Sequence, residues 1–173
     1  MITRRVPVLL IPLLVLAGCG QPQKRANLNY DMGERVEVGS LTYVVVENSW
    51  QTQIGEGIAA RSPKDRFLVL TLSATNGGGT PRSIPLLSLE GAGGQVYQEI
   101  DNAGGVTNWL GILRSVEPAQ TLQGRVVFDV PLGAYRLRLP DVADSGYEQF
   151  AMVDIPLRID SGQVQAPLVN AVK

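Results

Sequence analysis

What most constrains this chain is a two-residue alternation of apolar and polar side chains, in short runs broken by turn residues. In 66–76, Leu68, Leu70, Leu72 and Ala74 share one face, while Val69, Thr71, Ser73 and Thr75 share the other. In 123–130, Val126, Phe128 and Val130 oppose Arg125, Val127 and Asp129; in 135–139, Tyr135, Leu137 and Leu139 oppose Arg136 and Arg138. A side-chain period of two belongs to strands with one buried face, and no stretch holds a 3.6-residue period over three turns. The runs 35–38, 41–53, 86–90, 95–99 and 149–158 complete the predicted strands. Val44-Val45-Val46 is apolar on both sides, so its inner face is not fixed by pattern. Asn76-Gly77-Gly78-Gly79 ends one strand, Gly91-Ala92-Gly93-Gly94 makes a hairpin, and Pro131-Leu132-Gly133-Ala134 joins two more. With no βαβ spacing, the expectation is all-β: an antiparallel β-sandwich of 7–8 strands. The stretch 101–113, with Gly104, Gly105 and Gly111, has no strand pattern and is expected to be a long loop, with one helical turn around 108–113.

The N-terminus reads as an address. Arg4 and Arg5 precede an apolar run from Val6 to Leu16, then Leu16-Ala17-Gly18-Cys19. Charge, apolar run and small residues in that order make a secretory leader, and its short run falls well below the roughly 20 residues of a bilayer-spanning helix. Leu16-Ala17-Gly18-Cys19 resembles the lipobox of bacterial lipoproteins at all four positions. The resemblance implies cleavage between Gly18 and Cys19 and a diacylglyceryl group on the Cys19 thiol, so that the protein's membrane partner is reached through lipid on Cys19. Two or three acyl chains anchor stably where one does not, since each buried CH₂ adds about 0.8 kcal/mol. An Asp after the cysteine would resemble an inner-membrane retention signal; Gly20 stands there, which favours the outer membrane in a Gram-negative host. The expected organisation is a cleaved signal peptide over 1–18, a lipidated N-terminus and flexible tether over 19–33, a sandwich over 34–160 and a tail over 161–173.

Composition removes several chemistries. The chain has no histidine and a single cysteine, so a serine–histidine triad, an intramolecular disulfide and a His/Cys metal site lack their parts. Loss of Arg4 and Arg5 from the 15 basic residues leaves 13 against 16 acidic ones, and no basic cluster is present to grip nucleic acid. Ser62-Pro63-Lys64 lacks the spacing of a serine–lysine pair. Gly55-Glu56-Gly57-Ile58-Ala59-Ala60 fits a loose dinucleotide pattern, but Pro63 blocks the helix that should follow. Asp101, Asn102, Asp141 and Asp144 have calcium-type oxygens without calcium-loop spacing. Arg61, Lys64, Asp65 and Arg66 form a charged loop suited to solvent, or to anionic headgroups if it faces a membrane. Trp109, in the unpatterned loop, is a candidate ligand-contact residue; its plainer role is to plug an open end of the sandwich. Trp50 ends a strand and is expected in the core or at its rim.

The order Gly33-Glu34-Arg35-Val36-Glu37-Val38-Gly39, the strand ending in Asn76-Gly77, and Val116-Glu117-Pro118 followed by 122–131 carry a family resemblance. Over roughly 33–158 the chain resembles a bacterial domain-of-unknown-function family of exported or lipid-anchored immunoglobulin-like domains, similar in fold to telokin and to a secreted mycobacterial antigen. The resemblance implies an immunoglobulin-like sandwich with no catalytic residues and no cofactor to carry over. The expected function is a lipid-anchored cell-envelope lipoprotein whose non-enzymatic domain binds an envelope protein or another envelope component. An accessory subunit of an envelope assembly is the alternative, and an envelope hydrolase using carboxylates alone ranks behind both.

Overall fold

The computed structural model describes residues 29–142 and 148–158, apart from the side chains of Val142 and Glu148. Gly18, Cys19, Asp144, the leader and the tail 161–173 fall outside the described residues. The strands are β1 (Asn29–Asp31), β2 (Val36–Val38), β3 (Leu41–Gln51), β4 (Arg66–Asn76), β5 (Arg82–Ser83), β6 (Ser88–Gly91), β7 (Val96–Gln98), β8 (Ser115–Val116), β9 (Thr121–Val130), β10 (Tyr135–Val142) and β11 (Glu148–Ile155). A five-stranded sheet, β1-β11-β10-β6-β7, faces a four-stranded sheet, β2-β3-β4-β9, with β5-β8 a small side pair. The protein is an all-β sandwich.

All eight predicted strands are present, and three short ones join them. Asn29–Asp31 overturns the tether expected to run to Gly33: it pairs with β11, parallel, from Asn29↔Met152 to Asp31↔Asp154. The other pairings between the described strands are antiparallel. Three polar-flanked residues have no readable period, and their strand character comes from the neighbour they pair with. The helical turn expected around 108–113 is also absent. Trp109 instead forms a parallel bridge with Arg125, while Asn108 and Gly111 take φ of +57° and +72°, outside helical backbone.

The core lies between the sheets. Leu68, Leu70, Leu72 and Ala74 of β4 meet Val126, Phe128 and Val130 of β9 and Leu137, Leu139 and Val153 across the gap, all buried. Burying one such aliphatic side chain contributes about 1.5–3 kcal/mol. In β3 the alternation changes parity midway: Leu41, Tyr43 and Val45 are buried, Val46 is 57% exposed, and the inward positions then become Asn48 and Trp50. A register shift between Val45 and Glu47 inserts the extra residue. That bulge resolves the ambiguous Val44-Val45-Val46 run.

Polar contacts also cross from one sheet to the other. Tyr43 Oη donates to Pro140 O at 2.7 Å, and Asn48 Nδ2 donates to Pro156 O at 2.8 Å. Asp141 Oδ2 accepts from Ser40 N at 2.7 Å and from Ser40 Oγ at 3.2 Å. Gly39 makes room for the last contact. Its φ is +57°, and a Cβ there would lie 2.1 Å from Asp141 Oδ2. Burial drives the Tyr43 phenol far above its ordinary value, and the Asp141 charge pushes the same way.

Candidate functional site

The long loop 101–113 is a structural cover. Trp109 packs with Ile54, Phe67, Val69, Ala103 and Val127 in a second apolar cluster. Phe67 and Val69 stand opposite the core-facing positions of β4, so this cluster lies on the outer face of the four-stranded sheet. Trp109 thus seals a sheet face instead of plugging an end of the sandwich, and its indole Nε1 is buried without a partner. The side chain is half-buried there. The loop also closes the free edge of β9. Ile100 N donates to Val127 O at 2.9 Å, Leu110 N donates to Arg125 O at 3.0 Å, and Arg125 N donates to Asn108 O at 2.8 Å. A Cβ on Gly124 would come within 2.5 Å of Asn108 O, so the glycine of this strand serves close approach of the loop.

A buried ion pair holds the loop at its neck. Glu99 precedes the loop and Arg114 follows it, with both side chains fully shielded. Arg114 Nη2 donates to Glu99 Oε1. Its Nε donates to Gly111 O at 2.6 Å, and Leu87 N donates to Glu99 Oε2 at 3.0 Å. Burial pushes the Glu99 carboxyl above its ordinary value, against the opposing pull of Arg114 and the Leu87 amide. Neither residue stood out in the sequence, because a charged side chain is ordinarily exposed.

The remaining sequence candidates disperse. Gly55–Ala60 is one 3-10 turn, Gly57–Ala59, inside a loop closed by an Ile54–Arg61 bridge. Arg61 donates to Asn102 O, and the Asp129 carboxylate accepts from Lys64 N at 2.6 Å and Asp65 N at 2.9 Å. Asp101 is exposed in the loop and Asp141 is buried beside Ser40. Trp50 is at the rim of the core, its ring centroid 6.4 Å from that of Tyr135. Among the described residues no group of three or more Asp, Glu or Cys side chains is placed to hold a metal ion.

A concave surface lies elsewhere, at one end of the five-stranded sheet, and sequence reasoning missed it. A groove of about 500 Å³ crosses β1, β11, β10 and β6. Register builds it: Asp31 lies opposite Asp154, Asp154 opposite Arg136, and Arg136 opposite Glu90. These four outward positions form one row across four strands. Arg136 Nη2 donates to Glu90 Oε1 at 2.6 Å. Met32, Ala92, Ala134 and Pro156 supply apolar walls, and Arg158 stands on the rim. At the same end Tyr135 Oη donates to Pro131 O at 2.6 Å and its ring meets Tyr97 edge-on at 5.6 Å, which firms the turn beneath Ala134. Burial, followed by the nearby Tyr97 and Asp65, raises the Tyr135 phenol above its ordinary value.

Fold and site together define a two-sheet β-sandwich with one loop-sealed face and a charged groove at the end of the other sheet. The chain belongs to the family described as Domain of unknown function (DUF4352), whose model matches residues 30–148. Among solved structures it is similar to the yjhA protein from Bacillus subtilis, at 15% identity and TM-score 0.53 over 73% of this chain and 98% of that one. It is also similar to a candidate lipoprotein, ycdA, from Bacillus subtilis, at 12% identity and TM-score 0.57 over 75% of this chain and 40% of that one. A functionally unknown protein from Listeria monocytogenes matches at 13% identity and TM-score 0.53, covering 72% of this chain and 82% of that one. At such identities the likeness concerns fold. No curated protein sequence matches.

Proposed function

We propose that this chain is a lipid-anchored protein of the bacterial cell envelope, exported and held by acyl chains on Cys19. Its immunoglobulin-like domain acts without catalysis, by binding an envelope protein or another envelope component. The groove over β1, β11, β10 and β6 carries this reading. It is concave, it joins apolar walls to a few convergent charges, and its volume of about 500 Å³ falls within the range of about 300–1,000 Å³ usual for binding sites.

Export is supported by the leader, by Leu16-Ala17-Gly18-Cys19 and by the likeness in fold to ycdA, itself a candidate lipoprotein. The absence of histidine from the whole sequence supports a binding role over hydrolysis. The direction of β1 suits display of the groove. β1 runs parallel to β11 from Asn29 to Asp31, and the C-terminal end of β11 lines the groove. β1 therefore runs toward the groove, with Asn29, the end nearer Cys19 in the chain, away from it. Cys19 precedes Asn29 by ten residues, a span of at most about 35 Å.

Two measurements test the proposal. Intact-mass analysis and fractionation should find the protein starting at Cys19, acylated and in membranes, and Cys19→Ala should release it or block its processing. Unchanged membrane retention of Cys19→Ala refutes the anchor. A photo-crosslinker at Ala134 should capture a partner from intact envelopes where one at Thr121, remote from the groove, does not; repeated absence of capture refutes the binding role. A stable stoichiometric complex would make the chain a subunit of an assembly.

A further inference from the structure

We infer that the groove receives a lysine or arginine carried on an apolar stretch of a partner protein, its cationic head set between Asp31 and Asp154. This rests on the groove being the binding surface and adds the chemistry of what it binds.

The charge pattern is the starting observation. Asp31 and Asp154 are direct partners on adjacent strands, which lie about 4.8 Å apart. Like charges placed directly opposite destabilise a sheet. Both residues are exposed, and neither carboxylate has a hydrogen bond or ion pair among the described residues. A third carboxylate adds to the pair, since Glu34 Oε2 accepts from Asp31 N at 2.7 Å. The cation that could neutralise Asp154, Arg136 in the next strand, is turned to Glu90 at 2.6 Å. Arg158, on the rim, is the other cation lining the groove. Three carboxylates, Asp31, Glu90 and Asp154, thus line a groove that holds two guanidinium groups, with Glu34 adjoining Asp31. An added cation between Asp31 and Asp154 relieves the repulsion and gains charge-assisted hydrogen bonds from both sides.

The walls say what carries that cation. Met32, Ala92, Ala134 and Pro156 offer apolar surface to the methylene stem of a lysine or arginine and to its neighbours. The row spans four strands, or three inter-strand steps, about 14 Å in all, the length of about four extended residues. A protein segment fills such a groove; a lone ammonium does not.

The test is an amide NMR titration of the exported chain, residues 19–173, carrying Cys19→Ser. The probes are the peptide acetyl-Ala-Leu-Lys-Leu-Ala-amide, its counterparts with glutamate or norleucine in place of lysine, and spermidine. The lysine peptide should move the amides of Asp31, Arg136 and Asp154, and the other two peptides should not. Asp31→Asn with Asp154→Asn should weaken its binding about tenfold and leave the remaining spectrum folded. Raising salt from about 0.05 to about 0.5 M should weaken it in the unsubstituted chain. If the glutamate or norleucine peptide binds the groove equally well, the charge class is wrong while the groove survives as a binding surface. If spermidine binds as tightly as the peptide, the commitment to a protein segment falls. If the lysine peptide binds only after residues 161–173 are removed, the chain's own tail is the occupant and the inference is overturned. If no probe moves the groove, and the crosslinker at Ala134 also captures nothing, the reading beneath the inference falls with it.

Discussion

Replacing Arg114 by Met should be among the most damaging single changes in the domain, and its cost should depend on pH. Both side chains of the Glu99–Arg114 pair are fully shielded, so the substitution strands a carboxyl that keeps only the Leu87 amide as donor. It also frees the Gly111 carbonyl, which Arg114 Nε engages at 2.6 Å. Breaking one side of a buried pair costs about 3–5 kcal/mol, against a total stability of about 5–15 kcal/mol for a domain of this kind. The sign with pH follows from protonation. The folded-state pKa of Glu99 is raised above its ordinary 4.5 by burial, with Arg114 pulling it down. Above that ordinary value the native state holds more proton than the unfolded chain, so this group's contribution to stability falls as pH rises through the folded value. Without the guanidinium the folded value rises further, and the decline should steepen. Urea unfolding followed by the fluorescence of Trp50 and Trp109 should show a loss of about 3–5 kcal/mol at pH 7 and a clearly smaller one near pH 4.5. Glu99→Gln added to Arg114→Met should recover most of the pH 7 loss, since no charge is then buried. A loss under about 1 kcal/mol at pH 7, or equal losses at the two pH values, would refute the reasoning.

Other substitutions probe the loop and the turns. Trp109→Ala should destabilise by about 3 kcal/mol, by emptying the outer apolar cluster, and should leave capture through Ala134 unchanged at temperatures where the variant stays folded; a loss of capture there would return Trp109 to a binding role. Asn76→Ala removes donors to Thr80 O and Val116 O, both at 2.8 Å, and should cost about 2–3 kcal/mol in urea unfolding. Gly39→Ala must place its methyl against Asp141 at a φ of +57°, and a melting temperature within error of the parent would contradict the close contact drawn there.

Alternation in the sequence located β4, β9 and β10 because each has one face in the core and a run long enough to show a period, whereas β2 and β7, at three residues each, were marked off by the glycines that flank them. Asn29–Asp31, Arg82–Ser83 and Ser115–Val116 were invisible for the opposite reason: two or three residues display no period. The outward face of β4 and β9 misled differently. On strands with one buried face Val69 and Val127 would look to solvent, yet the loop 101–113 buries them. A local signal existed in the unbroken apolar runs Phe67-Leu68-Val69-Leu70 and Val126-Val127-Phe128, which suit strands covered on both sides. The groove had no comparable signal. Asp31, Glu90, Arg136 and Asp154 are scattered through the chain, and only strand register sets them in one row. Gly39 and Gly124, by contrast, sat inside the motifs that carried the family resemblance, and each proves to be a point of backbone crowding.

Apolar packing alone has no direction, and two greasy sheets held only by it can slip or rotate over one another at little cost. The contacts from Tyr43 to Pro140, Asn48 to Pro156 and Ser40 to Asp141 act as rivets through this sandwich, each with a length and an angle to satisfy. Sliding by one residue would strand several buried polar groups at once, so the two layers should come apart together or stay together. A probe on one broad side of the molecule therefore reports faithfully on the other.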